Sequence, residues 1–286
     1  MKINEIIPAE HPYTADLQHF PQPVKKLFYR GKLPENRIPT VAIIGTRKPT
    51  SYGREIAQKI ASEVARNGGI VVSGMALGID GIAHNAAMEA GGITLAVLAN
   101  GVDKAYPSSH AAMAKRILET GGAIISEYPE GTPPLPFQFL ERNRIVSGLA
   151  DVVVIVEAAA RSGTLSTANH ALEQGKDIFA VPGNITSPLS AGCNKLIRQG
   201  AQPLAEIQDL IDFLFPKTKQ EKQTSLLQGD TPAETAILEQ ISKGVRKGEE
   251  ILKNSKISPS DFSQAVTMLE IKGIISSNGA NEWRIN

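Results

Sequence analysis

The chain has 286 residues, 42% of them hydrophobic, which suits one substantial core and a small second domain. A formal net charge of +1 gives no global basic field, so any anion site must be made by local clustering. The single cysteine, Cys193, excludes an internal disulfide and a cysteine-based zinc cage; it fits a reducing compartment and reads as a buried or spectator thiol.

Residues 1–40 contain Pro8, Pro12, Pro21, Pro23, Pro34 and Pro39 among scattered apolar residues such as Leu17, Leu27 and Phe28. That many prolines exclude long helices and central strands, so the region reads as a short, partly helical and partly extended lead-in packed on the main domain. Its first ten residues, with Lys2, Glu5 and Pro8, lack the apolar run of a signal peptide. No stretch approaches the about 20 uninterrupted apolar residues of a spanning helix, so a cytoplasmic protein without membrane contact is expected.

From Val41 to residue 215, apolar β-branched runs alternate with turn residues and amphipathic segments. The predicted strands are Val41–Gly45, Ile70–Ser73, Thr94–Ala99, Ala123–Ser126, Val152–Glu157 and Ile178–Val181. Helices are predicted between them at about 51–66, 80–90, 108–120, 138–149 and 164–174, then near 191–199 and 204–214. Gly68, Gly91, Gly121, Gly175 and Gly200 follow helices, where a left-handed cap needs glycine. A run such as Val152-Val153-Val154-Ile155-Val156 belongs to a strand buried on both faces. The fold class is α/β: a Rossmann-like, doubly wound, mainly parallel sheet.

Residues 216–231 are polar and aperiodic and mark a linker. Beyond it, helices are predicted over Ala233–Ile241, Glu249–Asn254 and Pro259–Ile271. Ile274–Ser277 and Glu282–Ile285 then flank an Asn278-Gly279 turn, which makes residues 232–286 a small winged-helix-like domain. Residues 217–286 hold 10 Lys+Arg against 9 Asp+Glu, and the third helix carries Asp261 and Glu270 with no basic residue before Lys272. Major-groove docking normally uses basic and amide side chains, so this domain reads as a protein-contact or accessory module.

In an open parallel sheet the carboxyl ends of the strands share one edge and one crevice. The segments that converge there are Gly45-Thr46-Arg47, Ser73-Gly74, Asn100-Gly101 through Lys104, Arg142-Asn143-Arg144 and Arg161-Ser162-Gly163-Thr164. Glycines, hydroxyls and guanidinium groups suit a phosphate backbone. A dinucleotide cofactor is disfavoured: Gly45-Thr46-Arg47-Lys48-Pro49 has neither GxGxxG nor Walker spacing, and Ser73-Gly74 stands where an acidic ribose ligand would be. Asp80 is expected to cap the helix it opens, and His84 to pack. Arg142 and Arg144 are about 200° apart on a helix, so one should meet the anion and the other a carboxylate such as Glu127. Phe137 and Phe139 follow a stiff Pro133-Pro134-Leu135-Pro136 segment and are available to pack or to stack on a base. No paired carboxylates, Ser/His/Asp order or metal-spaced histidines stand out, so no cofactor, metal or catalytic residue is expected.

Taken together, VAIIGTRKPTSYG, VVSGMALGIDGIAH, LANGVDKAYP, ISEYPEG, FLERNRIVSGLAD, VVVIVEA, SGTLSTANHALEQGK, IFAVPGN and AGCNKLIRQGA resemble the DNA-processing protein A family (DprA, also called Smf) over about residues 40–215. The resemblance implies a protein that binds and shields single-stranded DNA during natural transformation and homologous recombination, helps load the RecA recombinase and forms a homodimer. It places Gly45, Thr46, Arg47, Ser73, Gly74, Arg142, Asn143, Arg144, Gly163 and Thr164 in the DNA pocket, and Lys104 joins them from its strand end. Many relatives carry a helical N-terminal domain, for which 40 residues leave room only in reduced form. Two other readings stay open. Lysine-decarboxylase-like phosphoribohydrolases share the fold and a PGGxGTxxE motif, but Thr167 stands here where their glutamate would fall. A small-nucleotide sensor would use the same anion pocket.

Overall fold

The computed structural model describes residues 2–216, 229–279 and 281–285. It divides into two compact units, 1–215 and 216–286. Most of the predicted 216–231 linker lies outside the described residues.

The first unit is built on a nine-stranded sheet of order β1-β2-β6-β5-β4-β3-β7-β8-β9. Its strands are β1 (Asn4–Ile6), β2 (Leu27–Gly31), β3 (Thr40–Ile44), β4 (Ile70–Ser73), β5 (Thr94–Leu98), β6 (Ala123–Ser126), β7 (Val152–Ile155), β8 (Asp177–Ala180) and β9 (Gln202–Pro203). All pairings from β6 to β9 are parallel; β1 with β2 and β2 with β6 are antiparallel. The helices are α1 (Ser51–Arg66), α2 (Ile79–Glu89), α3 (Ala111–Glu119), α4 (Pro136–Leu149), α5 (Thr164–Glu173), α6 (Ala191–Arg198) and α7 (Ile207–Leu214).

Alternation along the central strands sorts side chains into two layers. Val41 and Ile43 of β3, with Val152 and Val154 of β7, pack under α1, α2 and α7. Ala42, Ile44, Val153 and Ile155 face α4, α5 and α6. A third cluster lies under α3, around Leu98, Met113 and Ile117. The glycines that follow α1, α2, α3, α5 and α6 all have positive φ, from 67° at Gly175 to 106° at Gly200.

The proline-rich lead-in is part of this core. It supplies two strands and two short 3-10 turns, and Tyr13, Leu17, Val24 and Leu27 are buried with the α4 layer. Arg37 fastens it by donating to Asp151 at 2.7 Å and to the Leu149 carbonyl at 2.9 Å.

The second unit has helices α8 (Pro232–Ser242), α9 (Gly248–Ser255) and α10 (Pro259–Ile271), followed by a hairpin of β10 (Ile275–Gly279) and β11 (Glu282–Ile285). It has its own core around Ile237, Leu238, Ile251, Val266 and Leu269. The hairpin reverses later than expected. Asn278 lies within β10, the register shifts between Ser277 and Gly279, and Gly279 pairs with Glu282, while Gly279 (φ 82°) and Asn281 (φ 61°) take the left-handed conformations. No helix among the described residues is long and apolar enough to cross a membrane.

Candidate nucleic-acid interface

The chain runs from β3 outward through β4, β5 and β6, then returns to place β7 on the other side of β3. The loops after β3 and β7 therefore diverge, and a crevice opens between them at the carboxyl edge. The structure has a cleft of about 490 Å³ there, lined by the loops after β3, β4 and β7 and by one face of α4.

The loops are tied to one another before any ligand arrives. Thr46 N–H donates to the Glu157 carbonyl at 2.8 Å, and Ile79 N–H at the start of α2 donates to the Thr46 carbonyl at 3.2 Å. Gly78 (φ 81°) makes that approach possible, because a Cβ there would stand 2.6 Å from the Arg47 carbonyl carbon. Met75, between the lining residues Gly74 and Ala76, holds φ 57°, an uncommon conformation for a residue with a side chain, and its side chain is buried in the core under α3.

Among the expected site residues, the structure brings Gly45, Thr46, Arg47, Gly74, Arg142, Asn143, Gly163 and Thr164 into this cleft. Arg47 is exposed, with its guanidinium 6.0 Å above the Phe139 ring. Arg142 is 5% exposed and forms part of the floor. Its Nη1 donates to the Gly74 and Val97 carbonyls and its Nε to Asn143 Oδ1, while Nη2 has no hydrogen-bond partner among the described residues. Burial pushes Arg142 down to about 10 while the Asp80 charge opposes the fall, so the guanidinium is protonated at neutral pH. Asn143 Nδ2 reaches Ser166 Oγ at 3.1 Å and steadies the entry of α5.

Three expected residues lie elsewhere. Ser73 is buried, its hydroxyl donating to the Ile43 carbonyl at 2.7 Å, so it joins β4 to β3 and does not line the cleft. Lys104 is exposed on the loop after β5, away from the lining. Arg144 points from the other side of α4 to Glu127 at 2.5 Å, the carboxylate anticipated for one of the two arginines. Helix α4 also starts two residues earlier than the predicted 138, at Pro136, and Arg142 sits in its second turn.

Asp80 has another task than the helix cap expected of it. Gly78 is the N-cap of α2, and the Asp80 carboxylate accepts from the N–H groups of Gly74, at 3.0 Å, and Ala76, at 3.4 Å. It holds the loop after β4, and burial raises its carboxyl against the opposing Arg142 charge. His84 is fully buried, in line with a packing role. The lining also includes Arg161, Ser162, Phe139, Leu140 and Thr167. Arg161 directly precedes the Ser162-Gly163-Thr164 signal and was legible beside it; Leu140, an exposed apolar residue on an otherwise ordinary helical turn, carried no signal.

The family model of DNA recombination-mediator protein A matches residues 4–215. The chain belongs to this family. It is 41% identical over 214 residues to protein Smf of Escherichia coli K12, covering 72% of this chain and 57% of that protein. It is 38% identical over 256 residues to the putative DNA processing protein DprA of Mycobacterium tuberculosis H37Rv, covering 85% of this chain and 64% of that protein. The chain thus spans somewhat under two thirds of these relatives. Among family structures, DNA processing protein A of Streptococcus pneumoniae superposes with a TM-score of 0.69 at 37% identity, covering 75% of each chain. DNA processing protein A of Helicobacter pylori, studied for its single-stranded DNA binding mode, gives 0.65 at 34% identity, covering 76% of this chain and 97% of the other. The α/β fold with its mostly parallel sheet is therefore the fold of the DNA recombination-mediator protein A family.

Proposed function

We propose that this chain binds single-stranded DNA along its sugar–phosphate backbone in the cleft between the β3 and β7 loops. The observation that carries the reading is the composition of that cleft: three arginines (Arg47, Arg142 and Arg161) and the hydroxyls of Thr46, Ser162 and Thr164, against one carboxylate, Asp80. Phosphate contacts of this kind supply sequence-independent affinity. The half-buried Phe139, packed 5.5 Å from Tyr106, offers an aromatic face beside the cations, the combination that single-strand binders use. The Helicobacter pylori relative studied for single-stranded DNA binding supports the same substrate.

The chain acts without catalysis in this reading. Asp80, the carboxylate of the cleft, is committed to two backbone N–H groups, and Thr167 occupies the place where the phosphoribohydrolase motif has its glutamate. Shielding of incoming strands in transformation, delivery of the strand to RecA and a homodimeric state complete the proposal; they rest on family membership. A dimer would give a long strand two grips. Light scattering at micromolar concentration should return twice the 30.6 kDa chain mass, and a monomer mass would remove that part. Fluorescence anisotropy with labelled oligo-dT and a matched duplex tests the substrate: single-strand preference is expected, and equal or stronger duplex binding would refute it.

A further inference from the structure

We infer that Glu157 is the positioning residue of the phosphate loop: from outside the cleft, it pins both ends of the turn that presents Arg47 and Lys48. The inference rests on the DNA reading above. Glu157 follows β7 and is 3% exposed. Its carbonyl accepts from Thr46 N–H at 2.8 Å, at one end of the turn. At the other end its carboxylate accepts twice from Thr50, from N–H at 2.9 Å and from the hydroxyl at 2.5 Å. Thr50 is the N-cap of α1 and accepts from Gly53 N–H at 3.1 Å, so the clamp continues into a helix.

A buried carboxylate is costly unless its oxygens are bonded, and here one threonine engages both. Room for it depends on Gly53, because a Cβ at that position would overlap the carboxylate. Between the clamped ends Arg47 and Lys48 are exposed, and no ion pair holds either among the described residues. Loop order is then set during folding and need not be bought during binding, which is how preorganisation raises affinity. Glu157 does this without presenting its negative charge to a phosphate, since it is absent from the lining of the cleft.

A merely structural glutamate and a positioning one differ in how they couple to Arg47. Glu157→Gln keeps the shape but removes the charge: Oε1 still accepts from Thr50 N–H, while the bond to the Thr50 hydroxyl can form only reversed and neutral, weaker than the charge-assisted one it replaces. We expect oligo-dT binding to weaken between about twofold and tenfold, the worth of one net hydrogen bond. In an Arg47→Ala background the same change should cost less, because only Lys48 is then left for the clamped loop to hold. Additive losses in the double variant, or an unchanged affinity in Glu157→Gln when Arg47→Ala is weakened, would overturn the inference and leave the DNA reading standing. Unchanged affinity in Arg47→Ala would overturn both. Should Glu157→Gln not fold, Thr50→Ser and Thr50→Val decide instead: the retained hydroxyl should bind like wild type and the valine more weakly, and equal affinities would refute the clamp.

Discussion

Arg142 and Arg144 stand two positions apart on α4 and end in different surroundings, one in the cleft floor and one in an ion pair with Glu127. Helical geometry forces that division, since residues two apart point to nearly opposite sides. Two glycines of the cleft differ in an equally instructive way. At Gly74 a Cβ would stand 2.5 Å from Arg142 Nη2 and 2.7 Å from its Cζ, so the glycine makes room for the buried guanidinium. At Gly163 a Cβ meets nothing within 4 Å and φ is −58°, so neither packing nor backbone requires glycine there. Gly74→Ala should therefore cost about 1–3 kcal/mol of stability by overpacking. Gly163→Leu should leave the urea midpoint unchanged while weakening oligo-dT binding, because the added side chain takes ligand space. Full affinity in Gly163→Leu would move the strand away from the α5 entry.

At the level of elements, the seam between α2 and β5 carries a pH signature. Thr94 Oγ1 donates to the Val71 carbonyl at 2.8 Å, so its 2.6 Å contact with His84 is an acceptance from Nδ1–H. Nε2 is then a buried acceptor without a partner. Burial, reinforced by His110 and Arg142, pushes the imidazole from 6.5 down to about 3. The folded value lies below the unfolded one, so the unfolded chain takes up the proton first. The neutral ring's contribution is present in full above pH 6.5 and is lost as pH falls toward about 3. The slope is about 1.4 kcal/mol per pH unit. Urea unfolding of wild type and His84→Gln between about pH 7 and pH 4 should show the steeper loss in wild type; parallel curves would mean the ring is not held neutral.

Helix α4 illustrates how far an element can be read from its residues. The prolines before Phe137 suggest an extended lead that postpones the helix, yet Pro136 is its first residue, where the missing N–H costs nothing. The strands of the parallel sheet were legible because unbroken β-branched runs such as Val152–Val156 have only one comfortable home, buried on both faces. The pairing of β2 with β6 was not, since Leu27–Gly31 is short and lies among prolines, and its place in the sheet comes from tertiary packing.

For the whole molecule, the reversal of strand order between the parallel neighbours β3 and β7 accounts for the site. The strand-end glycines, hydroxyls and arginines announced a crevice in the sequence, and the order of the sheet selects which of them meet: the ends of β3, β4 and β7 do, while Lys104 beyond β5 does not. Ser73 resisted a reading from sequence because its side chain faces inward across the sheet, and neighbouring residues do not signal that choice. Glu157 was unrecognised as a loop clamp because it reaches back to Thr50 on a distant segment, and Asp80, bonded to N–H groups only six and four residues before it, because a helix cap is the commoner use of an aspartate there. The second unit holds its own core, and Lys272 at the end of α10 is taken up by Glu234 at 2.8 Å and Asp230 at 2.9 Å.

The central claim is that an arginine-lined cleft holds the phosphates of single-stranded DNA, and a salt titration tests it most directly. Anisotropy of labelled oligo-dT should be followed across a potassium chloride series for wild type and Arg47→Ala. For wild type, log affinity should fall linearly with log salt, and in the variant affinity should drop and the slope flatten by about 0.7, the share of one lost phosphate contact on a single strand. The same affinity and the same slope in both proteins would contradict the account.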